Sequence, residues 1–216
     1  MPRAQCAMIG ALLLLLALVQ VDQPYPEVAP LHHLPTLALV IAAPFLLRRW
    51  PLSNAGLACL AAFLALHTIG GRYTYWDVPY DAWSEVLFGR SIGETFGFAR
   101  NHYDRFVHFA YGLLAVRPVW EALTRYGRIA PRQALWIAVA ILTSLSAFYE
   151  TFEWLLTLVL AGPMADDYNG QQGDMWDAQK DMALALAGAL IGAVLIRFTA
   201  CRSTPEAGST GQPGAG

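Results

Sequence analysis

The stretch Gln133–Ala161, QALWIAVAILTSLSAFYETFEWLLTLVLA, decides how this chain must be read. A helix needs about 20 mostly apolar residues, rising 1.5 Å each, to cross a bilayer, and this one has enough. Glu150 and Glu153 nevertheless stand inside it. A charge at that depth costs about 2.5–3.5 kcal/mol on insertion scales, so both must face protein or water rather than lipid. Thr143, Ser146, Glu150, Glu153 and Thr157 follow at steps of three and four residues, which keeps them on one helical face. Such a stripe serves either as hydrogen-bonding glue between helices or as the wall of a functional site, and two carboxylates in one stripe favour the site.

The rest of the chain fits the same class. Of 216 residues 56% are hydrophobic and 14% charged, with a net charge of -2. That composition suits a small integral membrane protein, and no basic cluster points to nucleic acid. The expected fold is all-α: a polytopic membrane bundle of six transmembrane helices at about 5–21, 34–49, 54–70, 105–123, 134–161 and 178–198. Residues 1–202 form a single integral membrane domain, and the Gly/Ser/Pro-rich stretch 203–216 reads as a disordered tail. The first segment, with one Arg and a leucine run, reads as a retained span rather than a cleaved leader, since no small-x-small site precedes Asp22. Cys6, Cys59 and Cys201 show no disulfide frame or zinc spacing and read as inert thiols.

Charge orients the bundle. Arg3, Arg48, Arg49, Arg117, Arg125, Arg128, Arg132, Arg197 and Arg202 fall on one side of the six-span scheme. Asp22, Glu27 and the acid-rich loops 77–104 and 166–177 fall on the other. The positive-inside rule then puts both termini in the cytoplasm of a bacterial plasma (inner) membrane and the acidic loops outside. Tyr73, Tyr75, Trp76, Tyr80 and Trp83 read as an interfacial aromatic belt, and Ser91–Ala99 as a short interfacial or re-entrant piece.

Three further groups point toward the glutamates. Asp104 and His108 share a face at i, i+4 where the fourth span opens, with His67 and His102 on the same side. Asp174, Asp177 and Asp181 open the sixth span; acids in a first turn suit the helix dipole, but Asp181 lies beyond that turn. Gly188 and Gly192 continue its face and would let a neighbouring helix approach closely. Lys180 lies on another face and reads as a snorkelling side chain. These residues predict one outward-facing cavity holding His108, Asp181, Glu150 and Glu153, rimmed by Arg72, Arg100 and Arg105, with Trp154 and Trp176 beside it. One histidine among carboxylates suits a divalent cation such as zinc or manganese, with His108 and Asp181 as ligands. Arginines above carboxylates also suit a phosphate-bearing or zwitterionic lipid head group.

Several motifs carry a family resemblance. Arg100-Asn101-His102-Tyr103-Asp104-Arg105 running into His108-Phe109, Glu150-Thr151-Phe152-Glu153-Trp154, and the run from Gly170 through Gln171, Gln172, Gly173, Asp174, Met175, Trp176, Asp177, Ala178, Gln179, Lys180 and Asp181 to Met182 together resemble the YjdF-type family of bacterial inner-membrane proteins. The resemblance covers about 54–198. More distantly, Asp104-Arg105-Phe106-Val107-His108-Phe109 is similar to the Asp-Lys-x-x-His-Phe opening of a helix in the VanZ-like family, with Arg in place of Lys. The Asn that precedes the glycines in that family's last helix is missing here. Both resemblances imply that Asp104, His108, Glu150 and Asp181 belong to one site, and neither implies a reaction.

The leading expectation is an outward-facing intramembrane site for a lipid head group, an envelope precursor or an ion, with Asp104, Arg105, Glu153, Asp177, Asp181 and Arg100 binding. Membrane lipids are the expected partners. An alternative is a metal-assisted or acid/base hydrolase of lipid-linked substrates, with Glu150 as general base and His108 orienting. A third is a proton- or cation-coupled transporter that uses Glu150 as the carrier.

Overall fold

The computed structural model describes residues 1–159 and 172–202, with side chains described as far as Thr199. Among the described residues every regular element is a helix. They are α1 (Arg3–Leu18), α2 (Ala29–Arg49), α3 (Asn54–Arg72), α4 (Tyr80–Phe88), α5 (Ile92–Phe96), α6 (Tyr103–Arg125), α7 (Pro131–Val159) and α8 (Asp177–Arg202). Part of the 166–177 loop, Gly170 and Gln171 of the third motif, and the 203–216 tail lie outside the described residues, as do the side chains of Cys201 and Arg202.

Local chemistry places the ends. Ser53 Oγ accepts the Gly56 N–H at 2.9 Å to start α3, and Ser91 Oγ accepts that of Glu94 at 3.2 Å to start α5. Asn101 Oδ1 accepts the Tyr103 N–H at 2.9 Å as α6 begins. Gly89 and Gly97, both left-handed, stop α4 and α5. α2 begins five residues before the expected span. Pro30 sits in its first turn, where a missing N–H costs nothing, and His32 and His33 turn inward to buried partners.

Four helices, α2, α3, α7 and α8, are long and apolar enough to cross a membrane. α1 is apolar but has 16 residues, about 24 Å of rise. α6 has the length but carries Asp104, Arg105, Arg117, Glu121 and Arg125. It occupies the middle of the bundle, packed on α3, α7 and α8. Large apolar side chains such as Phe45, Trp136, Phe148, Leu158 and Phe198 point outward from the bundle, as a lipid-facing surface requires.

The helices form two groups. Ile9, Leu12, Leu16, Val40, Leu47, Leu57 and Leu64 fill the core of α1–α3. Ala115, Val116, Ala138, Val139, Leu142, Ala189, Ala193 and Ile196 fill that of α6–α8. The closest pair is α6 and α8. A Cβ on Gly112 would overlap the Ala185 carbonyl oxygen, and one on Gly188 would overlap that of Phe109. The backbones touch at these points, as the spacing of Gly188 and Gly192 predicts.

Several arginines meet at one end of the bundle. Arg125 donates to the Pro51 carbonyl at 2.6 Å, beside Arg48 and Arg49 at the foot of α2. At the other end, Tyr25 donates to Asp77 at 2.8 Å. There Arg72 donates to the carbonyls of Val19 at 2.6 Å, Val21 at 2.7 Å and Asp22 at 3.2 Å. Arg72 therefore closes the α1–α2 turn and is not on the cavity rim. Tyr75 departs from the expected aromatic belt: it is buried, and its hydroxyl pairs with His67.

Candidate functional site

The acidic-loop end of α6–α8 gathers the polar residues predicted from sequence. α6 contributes Asp104 and His108, α7 contributes Glu150 and Glu153, and α8 contributes Asp177 and Asp181. Contact between the α6 and α8 backbones brings Asp181, 2% exposed, against the first turns of α6. His108 Nε2 lies 3.6 Å from Asp104 Oδ1 and 3.5 Å from Glu150 Oε1. One ligand atom from each of Asp104, His108 and Asp181 lies within 4.8 Å of the others. Asp181 Oδ1, Glu150 Oε1 and Ser146 Oγ are buried and have no hydrogen-bond partner among the described residues.

The positive side chains nearby are already engaged. Arg100 holds Asp177 with both nitrogens, at 2.8 and 3.3 Å. Arg105 pairs with Asp174 and, at 3.2 Å, with Asp177. Lys180, expected to snorkel, instead donates to Asp174 at 2.5 Å. These pairings hold Asp174 well below the usual carboxylate range, with the Lys180 hydrogen bond first and the Trp176 N–H second. Burial first, then the Arg105 and Arg100 charges, lower the His102 imidazole below its ordinary value. Arg105 can only donate, so His102 Nδ1 at 3.1 Å accepts.

The same loop locks two of the motifs together. Gln172 accepts the Asn101 N–H at 3.0 Å and donates to the Asn101 carbonyl at 3.1 Å. Asn101 in turn donates to Val78 O at 2.9 Å.

Two cavities lie at this end. A polar one of about 510 Å³ is lined by Asp104, Glu150, Glu153, Asp177 and Asp181, with Trp154 and Met175 at its margin. An apolar one of about 350 Å³ runs between α2, α3, α6 and α7, lined by Leu39, Phe63, Val107, Tyr111, Leu145 and Tyr149. Asp104 lines both, and His108 faces the apolar one. Trp176 is exposed and lines neither. Of the stripe on α7, Ser146 faces the apolar cavity, whereas Thr143 and Thr157 donate back to Val139 O at 2.9 Å and Trp154 O at 2.6 Å.

Two polar groups are not assembled from the sequence, although His67 of the first is already placed on the outer side. His32 and His33 pack with His67 between α2 and α3. His33 bonds Gln20 at 2.8 Å and Thr68 O at 3.2 Å, and His67 bonds His32 O at 3.2 Å. Glu121, at the basic end of α6, accepts the Ser53 N–H at 2.9 Å, the Ser53 hydroxyl at 2.6 Å and Arg117 Nε at 3.3 Å. The doublet His32–His33, with His67, was the available cue for the first group, and Ser53 at a helix start for the second.

Residues 4–202 match the family described as "Predicted membrane protein (DUF2238)". The chain belongs to this family. It is also similar to the inner membrane protein YjdF of Escherichia coli (strain K12), with 33% identity over 177 residues, which cover 82% of this chain and 78% of that protein. No solved structure matches. The matched region takes in α6–α8 and all the site residues, and the YjdF-type resemblance read from the motifs agrees with both comparisons.

Proposed function

We propose that this is a six-span protein of the bacterial inner membrane whose polar cavity opens outward and receives the head of a membrane amphiphile. The name of the E. coli relative supports the location. The nine arginines that the six-span scheme puts on one side support cytoplasmic termini and an outward cavity. In this reading α1 and α6 also span, α1 by tilt or local thinning and α6 by keeping its charges inside the bundle.

The observation that carries the reading is that Asp104 lines both a carboxylate-lined cavity and an apolar one. An amphiphile has that division: a hydrocarbon chain suits the slot beside Phe63, Val107 and Leu145, and a polar head suits the acids. Ammonium or hydroxyl groups are the donors that Glu150, Glu153 and Asp181 can accept from. The rim pairs of Arg100 and Arg105 lie where a phosphate on the same head would compete for them.

The test is mass spectrometry of lipids bound to the purified protein, wild type beside Glu153→Gln and Leu145→Trp. The polar variant should lose head-group selectivity, and the slot variant should lose the lipid. An identical lipid complement in all three folded proteins would end the proposal.

A second reading, acid/base hydrolysis of a lipid-linked substrate, draws support from His108 standing between Asp104 and Glu150. Transport finds less support, because the packed core of Val116, Val139, Leu142 and Ala189 fills α6–α8 below the cavity.

A further inference from the structure

His108 stands too far from its two carboxylates for good hydrogen bonds. N–H···O bonds run 2.7–3.2 Å, whereas Asp104 Oδ1 is 3.6 Å and Glu150 Oε1 3.5 Å from Nε2. Ligands about 2.1 Å from a tetrahedral ion stand roughly 3.4 Å apart, close to these separations. Asp181 supplies the third donor from α8, within 4.8 Å of the other two. It is 2% exposed, lines the polar cavity, and its Oδ1 has no hydrogen-bond partner among the described residues. A buried carboxylate oxygen left this way costs stability unless something positive or proton-bearing meets it.

The surrounding charge sharpens the point. Arg100, Arg105 and Lys180 are paired with Asp174 and Asp177. Asp104, Glu150 and Asp181 are left around one imidazole, with Glu153 on the same polar cavity as the three carboxylates. We infer that Asp104, His108 and Asp181 bind one divalent cation of the zinc or manganese class, with Glu150 placed to accept a hydrogen bond from a water on the ion. Two carboxylates and an imidazole are oxygen-rich donors with one borderline nitrogen, the set such ions take. Three donors from two helices leave coordination positions open toward the polar cavity. The inference does not require an amphiphile in the apolar slot, and its test uses metal alone.

The full-length protein, stripped with chelator and desalted, is titrated with manganese(II) followed by EPR and with zinc(II) followed by elemental mass spectrometry. The expected result is one ion per chain, with affinity falling about 100-fold or more in Asp104→Asn and Asp181→Asn. Glu85→Gln, an exposed acid on α4 away from the ligands and from the arginine pairs, should bind as wild type does. Pulsed EPR of the manganese form adds a readout that needs no variant: modulation from a directly bound imidazole nitrogen. A folded wild type that takes up neither ion overturns the inference. So does an ion retained in folded Asp181→Asn, or bound manganese without a nitrogen signal.

Discussion

The two ends of α6 each bury a carboxylate and treat it in opposite ways. At the basic end Glu121, 8% exposed, has Ser53 and Arg117 around it and accepts from three donors. At the acidic end Asp104 and His108 face Asp181 and Glu150, each with an oxygen that accepts no hydrogen bond among the described residues. Glu121 therefore works as a structural staple: it holds the N-terminus of α3, and a Cβ on Gly56 would run into its carboxylate. The acidic end is assembled from the same residue types but left incomplete. A buried polar group with all its partners specifies a fold, whereas one without them costs stability and is kept for what it binds. His33 and His67 follow the first pattern, His33 with Gln20 and Thr68 and His67 with Tyr75 and His32 O.

The comparison breaks most readily at Glu121. Truncating it to Ala strands the Ser53 N–H and hydroxyl at a half-buried helix start and should cost about 1–3 kcal/mol. Unfolding in SDS or by heat, in one detergent, measures it. A Glu121→Ala protein as stable as wild type would show that the contacts with Ser53 do not hold α3 to α6.

How much of this was legible in the sequence follows from where each residue's partners lie. Glu150 and Asp181 declared themselves because an acid inside an apolar span is costly wherever it points, and the glycines at 188 and 192 marked the face that would touch α6. Glu121 gave no such sign. It sits i+4 from Arg117 and looks like half of a helix-surface ion pair, while its main partner, Ser53, is 68 residues away. Arg72 looked like a rim cation because its acceptors are backbone carbonyls of another turn, which no composition reveals. The apolar slot was invisible for a different reason. It is a gap between four helices, and most of its residues, taken alone, are ordinary apolar residues of a membrane span.

At the other end of α6 the sign reverses. Asp181→Asn removes one of several crowded carboxylates and replaces an unpaired oxygen with an amide of the same shape. Measured in chelator, its unfolding free energy should be unchanged or higher by about 1 kcal/mol, while metal uptake falls. A loss as large as that expected for Glu121→Ala would mean that Asp181 is a staple too, and the contrast between the ends would be gone.

The smallest effect lies at the mouth of the cavity, where Asp174 ties Lys180 and Arg105 together. Its carboxyl is held below the ordinary value of 3.8, so folding favours the ionised form. That contribution is fully present above about pH 4 and is lost as pH falls through the folded value. Because the carboxyl is only partly buried, its partner Lys180 is exposed and the pair is screened by salt, the gain is modest. Asp174→Asn should therefore lower the melting temperature slightly at neutral pH and at pH 5, and the difference from wild type should shrink only under stronger acid. A gap that closes between pH 7 and 5 would instead assign the titration to His102. Its imidazole is held below the ordinary histidine value, so folding favours the neutral form and the fold weakens as pH drops through the range near 6.5. His102→Gln separates the two, since it should flatten the pH 5–7 change and leave the acid limb in place. The outcome decides whether the clamp over the polar cavity responds to pH at all near neutrality, or stays shut there while the ligands beneath it exchange protons for a cation.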